Sequence, residues 1–131
     1  MSHTINHVVG DMGELQELSW AAGYWEADGH CSWSIEPGKT YRDIGVTSTD
    51  RDVLEQLQAI FCCGVIRDET PRGYGNKPYY RWRLWRKADA MLFVESILPF
   101  VKGLRRQDQL QQFLIDQTSI PSGWHSHKDN R

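Results

Sequence analysis

The hydrophobic positions in the first part of the chain predict a helix followed by a β-hairpin. Within residues 14–28, Leu15, Leu18 and Trp25 recur at the spacing of one helix face. Gly29 is a natural end for this helix, because glycine tolerates the backbone conformations in which helices terminate. After Gly29 the apolar residues recur at every second position, so the sequence predicts a strand directly after the helix.

Two strands joined by a tight turn are expected next. Residues 30–36 alternate, with Cys31 and Trp33 on one side and polar residues on the other, which is typical of a half-buried strand. The sequence Pro-Gly-Lys at 37–39 predicts a turn. Residues 41–48 then predict the returning strand of the hairpin.

The second half of the chain repeats the order of one helix and two strands and then adds two helices. Ser48 or Thr49 is expected to cap the first of these helices, because Thr49 and Asp52 have the spacing of a capping box. The predicted elements are a helix with its apolar stripe at 53–61, strands at 65–69 and 79–86, and helices at 88–99 and 104–116.

These elements predict a single domain of the α+β class. The chain has 131 residues, which is an ordinary length for one domain. We assign residues 1–13 to an N-terminal arm, 14–116 to the domain and 117–131 to a C-terminal tail. No second copy of the sequence around Gly29 occurs, so the chain contains no internal repeat of this motif.

Basic residues are concentrated in one part of the chain. The net charge is −2, which argues against a nucleic-acid-binding protein when taken alone. Between Gly64 and Arg106, however, ten basic residues accompany four acidic ones, so this segment carries +6 and the remainder carries −8. A local basic surface is typical of a face that binds phosphates, although a solvated basic strand and loop would give the same count.

The cysteines and the hydropathy pattern exclude several classes of protein. Three cysteines, two of them adjacent at Cys62 and Cys63, form neither a disulfide framework nor the ligand spacing of a structural zinc site. No run of ~18 apolar residues predicts a membrane span. The first residues also lack the pattern of a secretory signal. We therefore expect an intracellular protein that is not secreted and has no membrane partner.

The end of the first predicted helix combines small residues with acids. Gly23 and Ala27 lie four residues apart and hence on one face, where they would let a second helix approach closely. Asp28 falls in the last turn, where the helix dipole disfavours a carboxylate. A divalent cation held by Asp28 and a free carbonyl such as that of Ala27 would reverse this effect. A core helix followed by a turn-forming aspartate fits the same residues.

The sequence AAGYWEADG at 21–29 resembles the signature of the LAGLIDADG homing endonucleases. Five positions match directly, whereas Glu26 stands where the family usually has aspartate and Ala21 where it usually has leucine. The resemblance extends over about residues 15–116, through VTSTDRDVLEQLQAIF and the Leu-Pro-Phe sequence that precedes a basic segment.

The resemblance implies an αββαββα fold whose saddle-shaped, antiparallel four-stranded sheet lies over the major groove of double-stranded DNA. A chain with one motif is expected to act as a homodimer in which two motif helices pack side by side. The implied activity is a metal-dependent, staggered double-strand cut in a long, near-palindromic target, with Mg²⁺ or Mn²⁺ as the cofactor. Such an enzyme would be located with the DNA of its host.

The resemblance also implies catalytic residues. Asp28 carries over as the main metal ligand, with the carbonyl of Ala27 beside it. The family often has a lysine after the Leu-Pro-aromatic sequence, but its position falls on Leu104 here, so Lys102 or Arg105 is expected to take this role. The remaining assignments are Ser48 for ordering water at the site, and Ala22, Gly23, Glu26 and Ala27 for the dimer interface. Glu26 is expected to cap or position a neighbouring helix and not to bind metal.

Strand alternation predicts which side chains face the DNA groove. Arginine is a suitable residue for this face, because it can pair with guanine through two hydrogen bonds. Trp33 and Trp82 fall on the opposite side and are expected in the core. The groove-facing candidates are His30, Ser32, Ser34, Glu36, Tyr41, Asp43 and Thr47 on the first hairpin, and Arg67, Tyr79, Arg81 and Arg83 on the second.

Two other functions fit the same resemblance. One is a DNA-binding regulator that does not cleave, and the other is a maturase that binds its own intron RNA and assists splicing. The retained Asp28 favours the nuclease over the regulator, because binding alone needs no carboxylate at the helix end. No residue pattern in the chain separates the nuclease from the maturase.

Overall fold

The computed structural model describes the backbone of residues 5–73 and 75–126 and the side chains of residues 13–73 and 75–124. Within these ranges, no helix is both long enough and apolar enough to cross a membrane. The helices are α1 (Ile5–Asp28), α2 (Arg51–Phe61), α3 (Lys87–Ile97) and α4 (Leu104–Thr118), and the strands are β1 (Gly29–Glu36), β2 (Lys39–Ser48), β3 (Val65–Asp68), β4 (Tyr80–Leu84) and β5 (His125–Ser126). This order confirms the expected α+β class.

The main sheet is antiparallel and has the strand order β1-β2-β4-β3. Strand β1 turns into β2 through Pro37 and Gly38, and Gly38 has a positive φ of 83° that favours glycine. Strand β2 pairs with β4 in a register that places Val46 opposite Trp82. The short strand β5 adds to the start of β2 in a parallel orientation.

One face of the sheet is covered by the helices. Every strand residue that belongs to the hydrophobic core lies on this side, among them the fully buried Ile44, Val46 and Trp82. The opposite side, which we call the open face, carries the alternate residues of the four main strands. These are His30, Ser32, Ser34 and Glu36 on β1, Tyr41, Asp43, Gly45 and Thr47 on β2, Val65 and Arg67 on β3, and Arg81 and Arg83 on β4.

Trp82 occupies the centre of the core between the sheet and helices α2 and α3. Its ring meets that of Phe93 edge to face, with 5.2 Å between the centroids, and lies 6.0 Å from that of Phe61. Its indole nitrogen donates to the carbonyl of Cys63 at 3.0 Å, so the polar atom of this buried side chain is satisfied. The predicted burial of Trp82 is confirmed.

The ends of three elements differ from the predictions. Helix α1 begins at Ile5, inside the segment assigned to an arm. Residue Asp50 is the N-cap of α2 and its backbone amide donates to the Ser48 hydroxyl, so the predicted capping box does not form. The tail assigned from residue 117 contains the end of α4 and β5. Residues 1–4 and 127–131 lie outside the described part of the chain.

The first prediction concerns the core. Replacing Trp82 by alanine should lower the free energy of unfolding by ~3–5 kcal/mol, because the change removes a fully buried aromatic ring and leaves a cavity. Urea unfolding measures this change. Leu104, which is 80% exposed, is the control, and its replacement by alanine should change stability by less than ~0.5 kcal/mol. Equal effects of the two substitutions would contradict the assigned strand register.

Candidate active site and nucleic-acid interface

Helix α1 ends in an exposed carboxylate. Asp28 is the last residue of the helix, and no described residue donates a hydrogen bond to its side chain or forms an ion pair with it. Gly29 then turns the chain into β1. A Cβ at Gly29 would collide with the carbonyl and the indole of Trp25, so this sharp turn requires glycine.

The backbone carbonyls around this helix end are held by Arg106 of α4. Its guanidinium donates to the carbonyl of Gly29 at 2.8 Å and to that of Glu26 at 3.3 Å, and its carbon lies 4.4 Å from the centroid of the Trp25 ring. Burial lowers the pKa of Arg106, and the neighbouring charge of Arg105 lowers it further. A cation at a helix C-terminus also offsets the partial negative charge of the dipole.

Glu26 of α1 makes the reciprocal contact, in which its side chain binds backbone amides at the start of α4. Its carboxylate accepts from the backbone amides of Lys102 at 3.0 Å and Gly103 at 2.7 Å. These amides precede α4, and Gly103 is its N-cap residue. The hydrogen bond from Lys102 lowers the pKa of Glu26 most strongly, against the opposing effect of burial. Glycine at 103 leaves room, since a Cβ there would lie 2.8 Å from a Glu26 oxygen.

Burial corrects one residue assigned to the dimer interface, whereas the assignment of Glu26 stays a prediction. Ala22 is fully buried within the chain itself, so it is not available to a second helix. Glu26 uses its carboxylate within the chain, as the helix-capping role expected for it requires. Gly23 and Ala27 are exposed, and a Cβ added at Gly23 would meet no atom within 4 Å. The small residues therefore leave an open strip along the side of α1 next to Asp28.

The expected basic residues lie next to this helix end. Lys102 is exposed and its backbone is tied to Glu26, while Arg105 is exposed in the first turn of α4. Ser48 lies on the helix-covered side of β2, and its hydroxyl accepts from the amide of Asp50 at 2.9 Å. This hydrogen bond holds Ser48 at the entry to α2, and its expected role in ordering water stays a prediction.

In the sequence, Arg106 is the last of the ten basic residues of the segment 64–106, and no predicted role falls on it. A signal was present, because adjacent residues on a helix point about 100° apart. Arg105 and Arg106 therefore cannot both face solvent equally on a helix that packs against α1. Gln109, three residues later, supports the inward orientation, since its side chain accepts from Arg106 at 3.0 Å and donates to the Cys31 carbonyl at 3.0 Å.

The open face carries the predicted groove-facing residues, and their strand register is confirmed. Arg67 and Arg81 stand directly opposite each other on β3 and β4, an arrangement of like charges that costs stability. Tyr79 precedes β4 and is 38% exposed. The loop before it is closed by Asn76, whose amide donates to the carbonyls of Arg72 at 2.8 Å and Pro71 at 3.1 Å.

Asp43 departs from the expected picture of an exposed groove residue. Only 7% of its side chain is exposed, and 9% of that of Arg83, although both lie on the open face. Burial alone would raise the pKa of Asp43, but the hydrogen bond and charge of His30, followed by those of Arg83, lower it to about 2. The carboxylate is therefore ionised at neutral pH and is shared among cationic neighbours on the same surface.

The oxygen donors at the end of α1 fit a hard divalent cation. Asp28 and the Ala27 carbonyl supply the oxygen ligands that Mg²⁺ prefers. In the described part of the chain, no three His, Cys, Asp or Glu side chains come together as a protein-only metal site. One free carboxylate suits Mg²⁺, which usually keeps several waters or substrate phosphate oxygens as its other ligands.

The family model for the LAGLIDADG-like domain matches residues 16–97, which is more than half of the chain. The chain therefore belongs to the LAGLIDADG family. No curated protein matches the sequence.

Solved structures of homing endonucleases share the fold. I-CvuI, solved with the I-CreI target and 2 mM Mg in a state with uncleaved DNA, has 19% identity and a TM-score of 0.68, over 84% of this chain and 71% of that chain. I-TnaI has 17% identity and a TM-score of 0.60, over 77% and 71%. The intron-encoded I-CeuI in complex with DNA has 15% identity and a TM-score of 0.61, over 79% and 54%.

The second prediction tests the contact between α1 and α4. Replacing Glu26 by glutamine keeps its size but removes the charge that caps the first amides of α4, and should lower stability by about 1 kcal/mol. Urea unfolding measures the change. The control is Glu17→Gln, because Glu17 is an exposed residue of the same helix. If both variants unfold at the same urea concentration, the carboxylate of Glu26 does not stabilise α4.

Proposed function

We propose that this protein is a site-specific DNA endonuclease of the homing type, which acts as a homodimer and makes a staggered double-strand cut with Mg²⁺ or Mn²⁺. The observation that carries this proposal is the free carboxylate of Asp28 at the end of α1, beside the exposed strip of Gly23 and Ala27. A regulator that only binds DNA has no need of an unpaired acid at this position. The DNA complexes of I-CvuI and I-CeuI, which share the fold, support the choice of substrate.

The surroundings of Asp28 explain why its carboxylate is free to bind a cation. Arg106 holds the carbonyls of Glu26 and Gly29, and its positive charge makes the helix end tolerate a carboxylate. Bound there, a divalent cation would lower the pKa of a water molecule and polarise the scissile phosphate. Asp28 and the Ala27 carbonyl would be its ligands from the protein.

The basic residues near the helix end have a separate task. Lys102 is exposed, and its amide is fixed to the carboxylate of Glu26, which lies two residues before Asp28 on α1. We assign Lys102 and Arg105 to contacts with the backbone phosphates around the cleavage position. There they would stabilise the negative charge that develops on the phosphate during hydrolysis.

The open face supplies the DNA-binding surface in this proposal. Arg67 and Arg81 lie opposite each other across β3 and β4, and a phosphate or a guanine edge between them would relieve their repulsion. The exposed polar residues of β1, Ser32 and Ser34, extend the same face outward along the hairpin. Specific contacts from two such faces would read the two halves of a near-palindromic site.

A dimer follows from the number of acids. Each chain offers one carboxylate at its helix end, whereas a double-strand cut needs a reactive centre at each strand. Packing two α1 helices along Gly23 and Ala27 would bring two copies of Asp28 to one seam, because small residues allow a close approach of the backbones.

A selection experiment tests the function directly. The protein is incubated with a randomised duplex pool in Mg²⁺, and both bound and cleaved fragments are sequenced. The proposal expects a near-palindromic motif among fragments with staggered ends. Enrichment of bound DNA without cut ends would support the non-cleaving regulator instead, and retention of structured RNA in place of DNA would support the maturase.

The third prediction tests the role of Asp28. Replacing it by asparagine should reduce cleavage of the selected DNA to background, because the amide cannot serve as an anionic metal ligand. Binding measured in Ca²⁺ should persist, since affinity arises on the open face. Asp108→Asn removes an exposed acid from α4 and should leave cleavage unchanged. Unimpaired cutting by the Asp28 variant would remove this residue from the mechanism.

The fourth prediction tests the dimer. Gly23→Leu should convert the protein to a monomer in light scattering and abolish double-strand cleavage, because the side chain would fill the seam. The fold itself should tolerate leucine, since a Cβ at this position meets no atom of the chain within 4 Å. Leucine is also a better helix former than glycine, by up to ~1 kcal/mol. Gln111→Leu, on the exposed side of α4, is the matched control and should stay dimeric.

A further inference from the structure

The open face contains an acid at a position where DNA binding alone would disfavour one. Asp43 lies at the middle of β2, between neighbours on both β1 and β4. A carboxylate on a surface that approaches phosphates weakens binding through repulsion, and its full ionisation at neutral pH makes the repulsion permanent. The contacts of Asp43 indicate which role of this carboxylate could offset the weaker DNA binding.

Asp43 is contacted by two arginines, a histidine and a tyrosine of the sheet. Arg83 approaches it through two atoms, with Nε at 3.2 Å from Oδ1 and Nη2 at 3.1 Å from Oδ2. Arg81 reaches Oδ2 through Nη1 at 3.4 Å, and His30 reaches Oδ1 through Nε2 at 3.0 Å. Tyr41 also donates its hydroxyl to Oδ2 at 3.4 Å. One acid therefore fixes groups from three strands.

Gly45 provides the space for this arrangement. It pairs directly with Arg83 and lies between Asp43 and Thr47 on the open face. A Cβ at Gly45 would collide with the backbone of Trp82 and lie 3.2 Å from the Cα of Arg83. The two strands thus approach closely where the Arg83 side chain crosses toward Asp43, which buries both partners on a face that the helices do not cover.

We propose that Asp43 is a specificity-determining positioning residue, which holds Arg81 and Arg83 in fixed orientations and restrains their binding to arbitrary DNA; this inference rests on the proposed DNA-binding function. A free arginine attracts any phosphate and contributes to binding of every sequence. An arginine held by two hydrogen bonds to a carboxylate has less freedom and less net charge to offer. Its remaining N–H groups then favour an acceptor at one defined position, such as the edge of a guanine.

The open face offers a matched control in Glu36. This residue is an acid of β1 on the same face, but its side chain is 61% exposed, and among the described residues it forms an ion pair with Lys39 at 3.8 Å. Glu36→Gln therefore changes the charge of the face by the same amount as Asp43→Asn while leaving Arg81 and Arg83 in place. A difference between the two variants at the positions read by Arg81 and Arg83 reports the arginine cluster and not the net charge.

The experiment compares the two variants with the unmodified protein in two binding assays. The first measures fluorescence anisotropy on one duplex of fixed arbitrary sequence, over a range of salt concentrations and in Ca²⁺. The second sequences the DNA that each protein retains from a randomised duplex pool. Neither assay depends on cleavage.

We expect Asp43→Asn to bind the arbitrary duplex about tenfold more tightly at low salt, with a salt slope steeper by about 0.9 for each arginine that gains a phosphate contact. The motif that it enriches should lose information at the positions read by Arg81 and Arg83. Glu36→Gln should change arbitrary binding by less than about threefold, and the motif that it enriches should keep its information at the positions read by Arg81 and Arg83.

Folding is monitored separately, because the variant leaves Arg83 buried beside a neutral amide. In the unmodified protein, nitrogen relaxation of arginine Nε groups should show Arg81 and Arg83 to be rigid and the exposed Arg105 to be mobile. Equal mobility of all three would overturn the inference even if Asp43→Asn did not fold.

The outcomes separate this inference from the proposed function. If the unmodified protein enriches a motif and Asp43→Asn enriches it equally sharply, the inference is wrong and the proposed function stands. If Asp43→Asn binds arbitrary DNA no more tightly than Glu36→Gln, the inference is also wrong. If the unmodified protein enriches no motif, the proposed function fails. The inference then fails as well, because the protein does not discriminate between DNA sequences.

Discussion

The structure depends on a reciprocal contact between the end of α1 and the start of α4. Helix ends leave backbone groups without partners, carbonyls at the C-terminus and amides at the N-terminus. Here each helix supplies the side chain that the other needs, since Arg106 of α4 donates to carbonyls around the end of α1 and Glu26 of α1 accepts from amides at the start of α4. Each charge also has the sign that the facing dipole favours. The contact fixes Asp28 and Lys102 in one local frame.

The strand faces and the end of α1 could be predicted from the sequence, because both follow from the spacing of hydrophobic and small residues. The two-residue alternation around Trp33 and Trp82 determined which side of each strand faces the helices, and the small residues before Gly29 marked the end of α1. The contacts of Arg106 and Glu26 could not be predicted in the same way. They join residues about 80 positions apart in the chain, and no local pattern specifies which member of a basic run turns inward.

Alternation also predicted the side of the sheet on which Asp43 lies, but not its burial. Alternation along a strand distinguishes two faces, and it predicts that the side chains of the face without helices are exposed to solvent. On this sheet the side chain of Arg83 lies across Gly45 to reach Asp43, so the charged groups cover one another. Burial on an open face is therefore a property of side-chain pairs on different strands, and it becomes visible only when the strand register is known.

The distribution of satisfied and unsatisfied groups separates the scaffold from the proposed reactive surface. Arg106, Glu26 and Gly103 have their partners within the chain and hold the helix ends in place. Asp28 and the Gly23–Ala27 strip have none among the described residues, although a carboxylate at a helix C-terminus is locally unfavourable. A single chain thus keeps an electrostatic cost that a bound cation would offset, next to an exposed strip on which a second helix would pack. This is the physical basis of the proposal that one chain forms half of a site.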